Sequence, residues 1–267
     1  MKKTFLLLLT ATLFIGCSSD DDSGTEGPVT GAIYLPLTTG NHWTYDVEGS
    51  TLSGRDSLYV ANDTLISGNT YKKMKTRELP AGFLSAAVRE NGARYQNGAV
   101  IVSGNVGVNL GVELPIALPL SNFMLLKENA SVNEQLASVS GEIEDEIENY
   151  PIEISYNITS TAKEALPTFT SPNGDTYTDV KSVQVKLNIS ISTTMEVFVG
   201  FPVTIEVLAP QDVVVSNMYF AKDIGMVYAH TVSSYELEDL PTGDFELPIP
   251  QSGTETTTEF LDSYVAD

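Results

Sequence analysis

Val183-Gln184-Val185-Lys186-Leu187-Asn188-Ile189-Ser190-Ile191 sets five branched apolar side chains on one side of an extended backbone and four polar ones on the other. Successive side chains of a strand point to opposite faces, so this period of two describes a strand with one covered and one wet face. Ile152-Glu153-Ile154-Ser155-Tyr156-Asn157-Ile158 and Val203-Thr204-Ile205-Glu206-Val207 repeat the pattern. Parallel strands of an α/β protein would be apolar throughout and separated by helices. Sustained helical periodicity is nearly absent here, which leaves an all-β chain built on antiparallel pairing.

Turn signals punctuate these strands. Asn91-Gly92 and Asn97-Gly98 read as hairpin dipeptides, because both residue types tolerate positive φ. Ser67-Gly68-Asn69 joins Thr64-Leu65-Ile66 to Thr70-Tyr71-Lys72, and Pro172-Asn173-Gly174-Asp175 joins two further β-rich segments. The one candidate helix starts at Ser131, where Ser131-x-x-Glu134 matches a capping box ahead of Leu136 and Val139. Leu136 to Ile143 reads equally well as a strand.

Two stretches depart from the pattern. Val106 to Leu126 alternates apolar residues with Gly107, Gly111, Pro115 and Pro119, and prolines bar a central strand, so the expectation is an edge strand running into an apolar arm. That arm is expected to lid the core, the alternative being a hydrophobic groove for a lipid or peptide chain. Glu142-Ile143-Glu144-Asp145-Glu146-Ile147-Glu148 reads as a strand end or hairpin tip carrying a solvated charge cluster, with calcium capture as the minor alternative.

Composition removes whole classes of function. The 267 residues carry 35 acidic and 14 basic side chains, a net charge of -21, so phosphate-rich partners such as nucleic acid would be repelled. One Cys excludes a disulfide framework or a thiolate-rich metal site, and the presence of only two His argues against a multi-histidine centre. Neither a metal nor another cofactor is expected.

The first residues read as an address. Lys2 and Lys3 precede an apolar run from Phe5 to Ile15 that is too short to span a bilayer of ~30 Å, which marks residues 1–16 as a secretory signal. Leu13-Phe14-Ile15-Gly16-Cys17 resembles a bacterial lipobox, with Phe14 where a smaller aliphatic residue is commoner. The resemblance implies cleavage before Cys17 and acylation of that residue, which anchors the chain to a membrane through two or three acyl chains. Residues 17–31 are small, acidic and turn-prone, as a solvated tether requires. Ser19-Asp20-Asp21-Asp22 also resembles the export signal of Bacteroidota surface lipoproteins, which implies an outer-membrane location facing the cell exterior. The aspartates are consecutive and lack the alternating spacing of a calcium loop.

Residues 32–267 read as a single β domain. Tyr34-Leu35-Pro36-Leu37-Thr38-Thr39-Gly40-Asn41-His42-Trp43-Thr44-Tyr45 resembles the opening of uncharacterised Bacteroidota lipoproteins. Asn173-Gly174-Asp175-Thr176-Tyr177-Thr178-Asp179-Val180 and Tyr219-Phe220-Ala221-Lys222-Asp223-Ile224-Gly225-Met226-Val227 fit the same type. The resemblance implies a large, strongly curved antiparallel sheet, a half-barrel similar to lipocalin-like shells and periplasmic lipoprotein carriers. A β-sandwich is the alternative. Trp43 is the expected core anchor, its N–H reaching a polar neighbour, and Gly225 is expected at a strand bend or a close backbone approach.

No hydrolase elbow, zinc-protease, P-loop or dinucleotide motif occurs, and no catalytic residue is assigned. His42 at a strand entry and His230 within a strand read as satisfied structural histidines. Asp56-Ser57-Leu58 and Asp63-Thr64-Leu65 resemble the Asp-Ser/Thr-aliphatic acceptors of Bacteroidota O-glycosylation, making Ser57 and Thr64 candidates. The expectation is a binding or envelope-interaction module for a small apolar or glycan ligand. An extracellular hydrolase of glycan or peptide, using a carboxylate pair or Ser-His site, is the alternative.

Overall fold

A computed structural model describes residues 31–51, 53–107, 117–147, 150–198, 201–239 and 250–267. Its elements in chain order are β1 (His42–Gly49), β2 (Gly54–Ile66), β3 (Asn69–Thr76), α1 (Phe83–Val88), β4 (Gly92–Gln96), β5 (Ala99–Gly107) and β6 (Ala117–Lys127). There follow β7 (Gln135–Ile147), β8 (Tyr150–Thr170), β9 (Thr176–Phe198), β10 (Phe201–Ala221), β11 (Gly225–Glu236) and β12 (Ser252–Val265). All the strands lie in one 12-stranded antiparallel sheet of order β6-β5-β4-β3-β2-β1-β12-β11-β10-β9-β8-β7. The sheet is therefore two meanders joined where β1 pairs with β12, His42 opposite Val265.

It is a single sheet curled nearly into a barrel, not two sheets packed as a sandwich. The outer strands β6 and β7 approach each other where the curl nearly closes. Tyr156 Oη on β8 donates to the Pro119 carbonyl of β6 at 3.3 Å, and Ser160 Oγ to that of Met124 at 2.5 Å. These inward side chains satisfy carbonyls that an edge would otherwise expose.

The alternation does what it predicts. Val183, Val185, Leu187, Ile189 and Ile191 are all buried along β9, and Ile152, Ile154, Tyr156 and Ile158 along β8. Ser67-Gly68 and Asn97-Gly98 turn their hairpins with positive φ at both residues, 49° and 81°, then 52° and 74°. That geometry matches the right-handed twist of the flanking strands.

Several local expectations are corrected. Asn91-Gly92 is not a hairpin turn. Asn91 is buried at the exit of α1, where Nδ2 donates to the Ala87 and Asn105 carbonyls, 2.7 Å each, and Oδ1 accepts from the Asn105 N–H at 2.8 Å. Ser131-x-x-Glu134 starts no helix. The Glu134 carboxylate accepts the Ser131 N–H at 2.8 Å, and that closed turn feeds the strand β7. Prolines are not confined to the edges. Pro167 lies in β8 beyond the last residue that pairs with β7, and Pro210 in β10 sits at a ladder irregularity between Leu208 and Gln211. At neither place does the ladder need the missing N–H.

The apolar arm holds as an edge strand in its described part. Val106, Leu118, Leu120, Phe123, Leu125 and Leu126 are buried, with β6 paired to β5 alone. Residues 108–116 lie outside the described residues.

One end of the curl is closed by the segment before β1. Tyr95 Oη accepts the N–H groups of Tyr34 and Leu35 at 2.8 and 2.7 Å, and Tyr34 Oη donates to Asp179 at 2.8 Å. The Asp223 N–H donates to the Ile33 carbonyl at 2.6 Å, and that of Lys222 to the Asp179 carbonyl at 3.1 Å. Trp43 is fully buried, its Nε1 donating to the Ile224 carbonyl at 2.5 Å. The three sequence segments singled out above, far apart in the chain, thus meet at one corner.

Candidate functional site

The short helix α1 owes its existence to residues remote in sequence. Gly82 at its N-cap supplies no side chain, so the free N–H groups of the first turn need acceptors from elsewhere. Asp56 of β2 accepts from Ala81 and Gly82 at 2.8 and 2.9 Å, and Glu259 of β12 from Phe83 and Leu84 at 2.8 and 3.4 Å. Gly82 lets the carboxylates come this close: a β-carbon there would collide with Glu259 Oε2 and lie 2.9 Å from Asp56 Oδ2.

Burial governs the electrostatics of this pair. Glu259 is completely enclosed, and loss of solvent, then the neighbouring Asp56 charge, push its carboxyl up to about 8 against the pull of the Phe83 and Leu84 N–H groups. Glu259 therefore holds a proton at neutral pH. Asp56 is also raised by burial, opposed by the Ala81 and Gly82 N–H groups. Tyr45, wholly buried beside them, is pushed up by desolvation and then by both carboxyls. Tyr45 Oη and Glu259 Oε2 have no hydrogen-bond partner among the described residues.

Beneath α1 the curled sheet forms a partly open cavity of about 130 Å³. Phe83, Leu84, Ala87 and Val88 form its roof. Its floor is apolar and buried, with Val102, Leu120 and Phe123 from one meander and Val185, Val214 and Met218 from the other. Polar groups gather on one side. Thr231 is buried and shares a hydrogen bond of 2.8 Å with Ser216, while Ser233, Glu255 and Thr257 are half-exposed at the rim. The arrangement can shield an apolar group and leave a polar end near water.

The candidates named from sequence lie elsewhere. Cys17, Ser19, Asp20, Asp21 and Asp22 fall outside the described residues. Ser57 and Thr64 are half-buried on β2, and Asp63 pairs with Lys72. His42 is half-buried with Nδ1 3.2 Å from the Gly40 carbonyl oxygen, and His230 is half-buried in β11. Glu142, Glu144, Asp145 and Glu146 are exposed along β7, where charge on an outer strand discourages pairing with another chain. Among the described residues no group of three His, Cys, Asp or Glu is placed to hold a metal ion.

Sequence reasoning missed α1, Glu259 and Glu255, and it saw Asp56 only within a triplet. The one available signal was an acid sharing a strand face with an apolar residue, Glu259 two positions before the buried Leu261.

Aromatic rings form a separate row on the face turned away from the cavity. Tyr219, Tyr228 and Phe260 are register neighbours across β10, β11 and β12. Phe169 stacks on Tyr219 with centroids 4.3 Å apart and planes 11° from parallel. The rings cover one another, and Tyr228 is only 9% exposed.

No protein-family model, curated protein or solved structure matches the chain.

Proposed function

We propose that the protein is a lipid-anchored binding protein of the outer membrane, displayed on the cell surface, that shelters a small apolar ligand in the cavity under α1. The observation that carries this reading is the cavity itself: an apolar floor drawn from both meanders, a helical roof and a half-exposed polar rim. Its size is close to that of an engineered cavity of ~150 Å³ that stays dry and admits benzene, so the occupant is a single ring or a short alkyl chain. The aromatic row supports a glycan less well, because Phe169 already lies on the Tyr219 face. A hydrolase built on paired carboxylates has less support still, since Asp56 and Glu259 are occupied by the backbone of α1.

Binding is tested with 1-octanol, titrated calorimetrically into the full chain carrying Cys17→Ala and kept free of detergent. Saturable binding is expected, and Val214→Phe, which fills the cavity, should abolish it without lowering the melting temperature. Absence of binding to the unfilled protein would overturn the reading. The anchor rests on the lipobox resemblance, and membrane fractionation tests it: Cys17→Ala should leave the protein soluble. Replacing Asp20, Asp21 and Asp22 with Ala should leave it anchored but shielded from protease added to intact cells.

A further inference from the structure

We infer that the cavity selects an alkyl chain ending in an ammonium group and rejects the corresponding carboxylate. This rests on the binding reading above and names the chemistry of its ligand. The half-exposed rim offers hydroxyls from Ser233 and Thr257 and one charge, that of Glu255. Ser233 and Glu255 are register partners on adjacent strands, so both stand at the same level of the rim. Glu255 accepts a hydrogen bond from the Thr51 hydroxyl but has no ion-pair partner among the described residues.

Among the described residues that line the cavity, none is a Lys or Arg that would neutralise a carboxylate. Of the 14 basic residues, Lys2 and Lys3 lie outside the described residues, five are paired with acids outside the cavity lining (Arg55 with Asp46 and Asp262, Lys72 with Asp63, Lys73 with Glu90, Lys127 with Glu134 and Lys186 with Asp212), and the other seven are not among the lining residues. Residues 108–116 and 240–249 contain Glu113, Asp244 and Glu246 but no Lys or Arg, so they hold no counter-ion either. The N–H groups at the start of α1, where an anionic headgroup could dock, already serve Asp56 and Glu259. An ammonium at the rim would meet Glu255 with its methylene chain on the apolar floor. A carboxylate would meet the same charge in repulsion.

The test compares n-octylamine, 1-octanol and octanoate, one chain with three heads, by calorimetry at neutral pH and low salt on the full Cys17→Ala chain. Octylamine should bind about tenfold more tightly than octanol, octanoate more weakly than either, and the amine preference should shrink as salt rises. Glu255→Gln should erase the amine preference, bringing octylamine to the affinity of octanol on the same variant. Octanoate binding as tightly as octylamine would overturn the selectivity, and an amine preference that survives Glu255→Gln would overturn the role of Glu255. Failure of all three probes would instead overturn the binding reading on which the inference rests.

Discussion

Trp43 stands so close to Gly225 that a β-carbon on residue 225 would lie 2.6 Å from the indole Nε1, the same nitrogen that donates to the Ile224 carbonyl. Gly225 also has φ of +122°, which side-chain-bearing residues rarely adopt. Position 225 is thus constrained twice, by backbone conformation and by the ring pressed against it.

Gly225→Ala should cost about 2–4 kcal/mol of folding stability. A double-mutant cycle with Trp43→Phe separates the two constraints, because the smaller ring relieves the clash but not the backbone strain. In urea unfolding, Gly225→Ala should be less costly in the Trp43→Phe background. An equal cost in both backgrounds would show that the ring plays no part.

Glu259 makes stability depend on pH. Its carboxyl titrates at about 8 in the folded protein against an ordinary value of 4.5, so between those values the folded state holds a proton that the unfolded state has lost. Its contribution is fully present below about pH 4.5 and is lost as pH rises through 8, by up to about 5 kcal/mol. Asp56, also raised, acts in the same direction. Glu90, Glu134 and Asp212, held down chiefly by hydrogen bonds from Lys73, Lys127 and Lys186, act oppositely in acid, but they lie at the surface where solvent screens them. Unfolding free energies measured by urea from about pH 5 to 8 should fall for the wild type and stay flatter for Glu259→Gln. Parallel curves would sink the assignment.

Leu118 in β6 is fully buried, so Leu118→Asp places a charge where the arm meets the core. The substitution should destabilise the whole domain by about 3–5 kcal/mol, read as a lowered cooperative melting transition. An unchanged transition would mean that the arm is a mobile gate.

The strands were legible because burying one sheet face leaves a period of two, and β8 and β9 show it plainly. The chemistry around α1 was not. Phe83-Leu84-Ser85-Ala86-Ala87-Val88 is too short to display a helical period, and its caps come from Asp56 and Glu259, more than 200 residues apart. Asn91 misled for a related reason. Before Gly92 it has the composition of a turn, yet its amide is consumed by the Ala87 carbonyl of α1 and the Asn105 carbonyl of β5. Local composition reports what a residue tolerates, and only the fold decides which partner reaches it.

The pairing of β1 with β12 also sets an order of assembly. Every other ladder joins strands adjacent in sequence, so each meander can zip from local hairpins with little loop-closure entropy to overcome. The exception is the ladder from His42–Val265 to Gly49–Thr257, which must close a loop of more than 200 residues. Until β12 has emerged, β1 presents an unpaired edge and Asp56 has no Glu259 beside it to fasten α1. A chain folding as it is synthesised thus stays open along its middle until the last strand is made, and its unpaired edges are most exposed to misassociation in that interval.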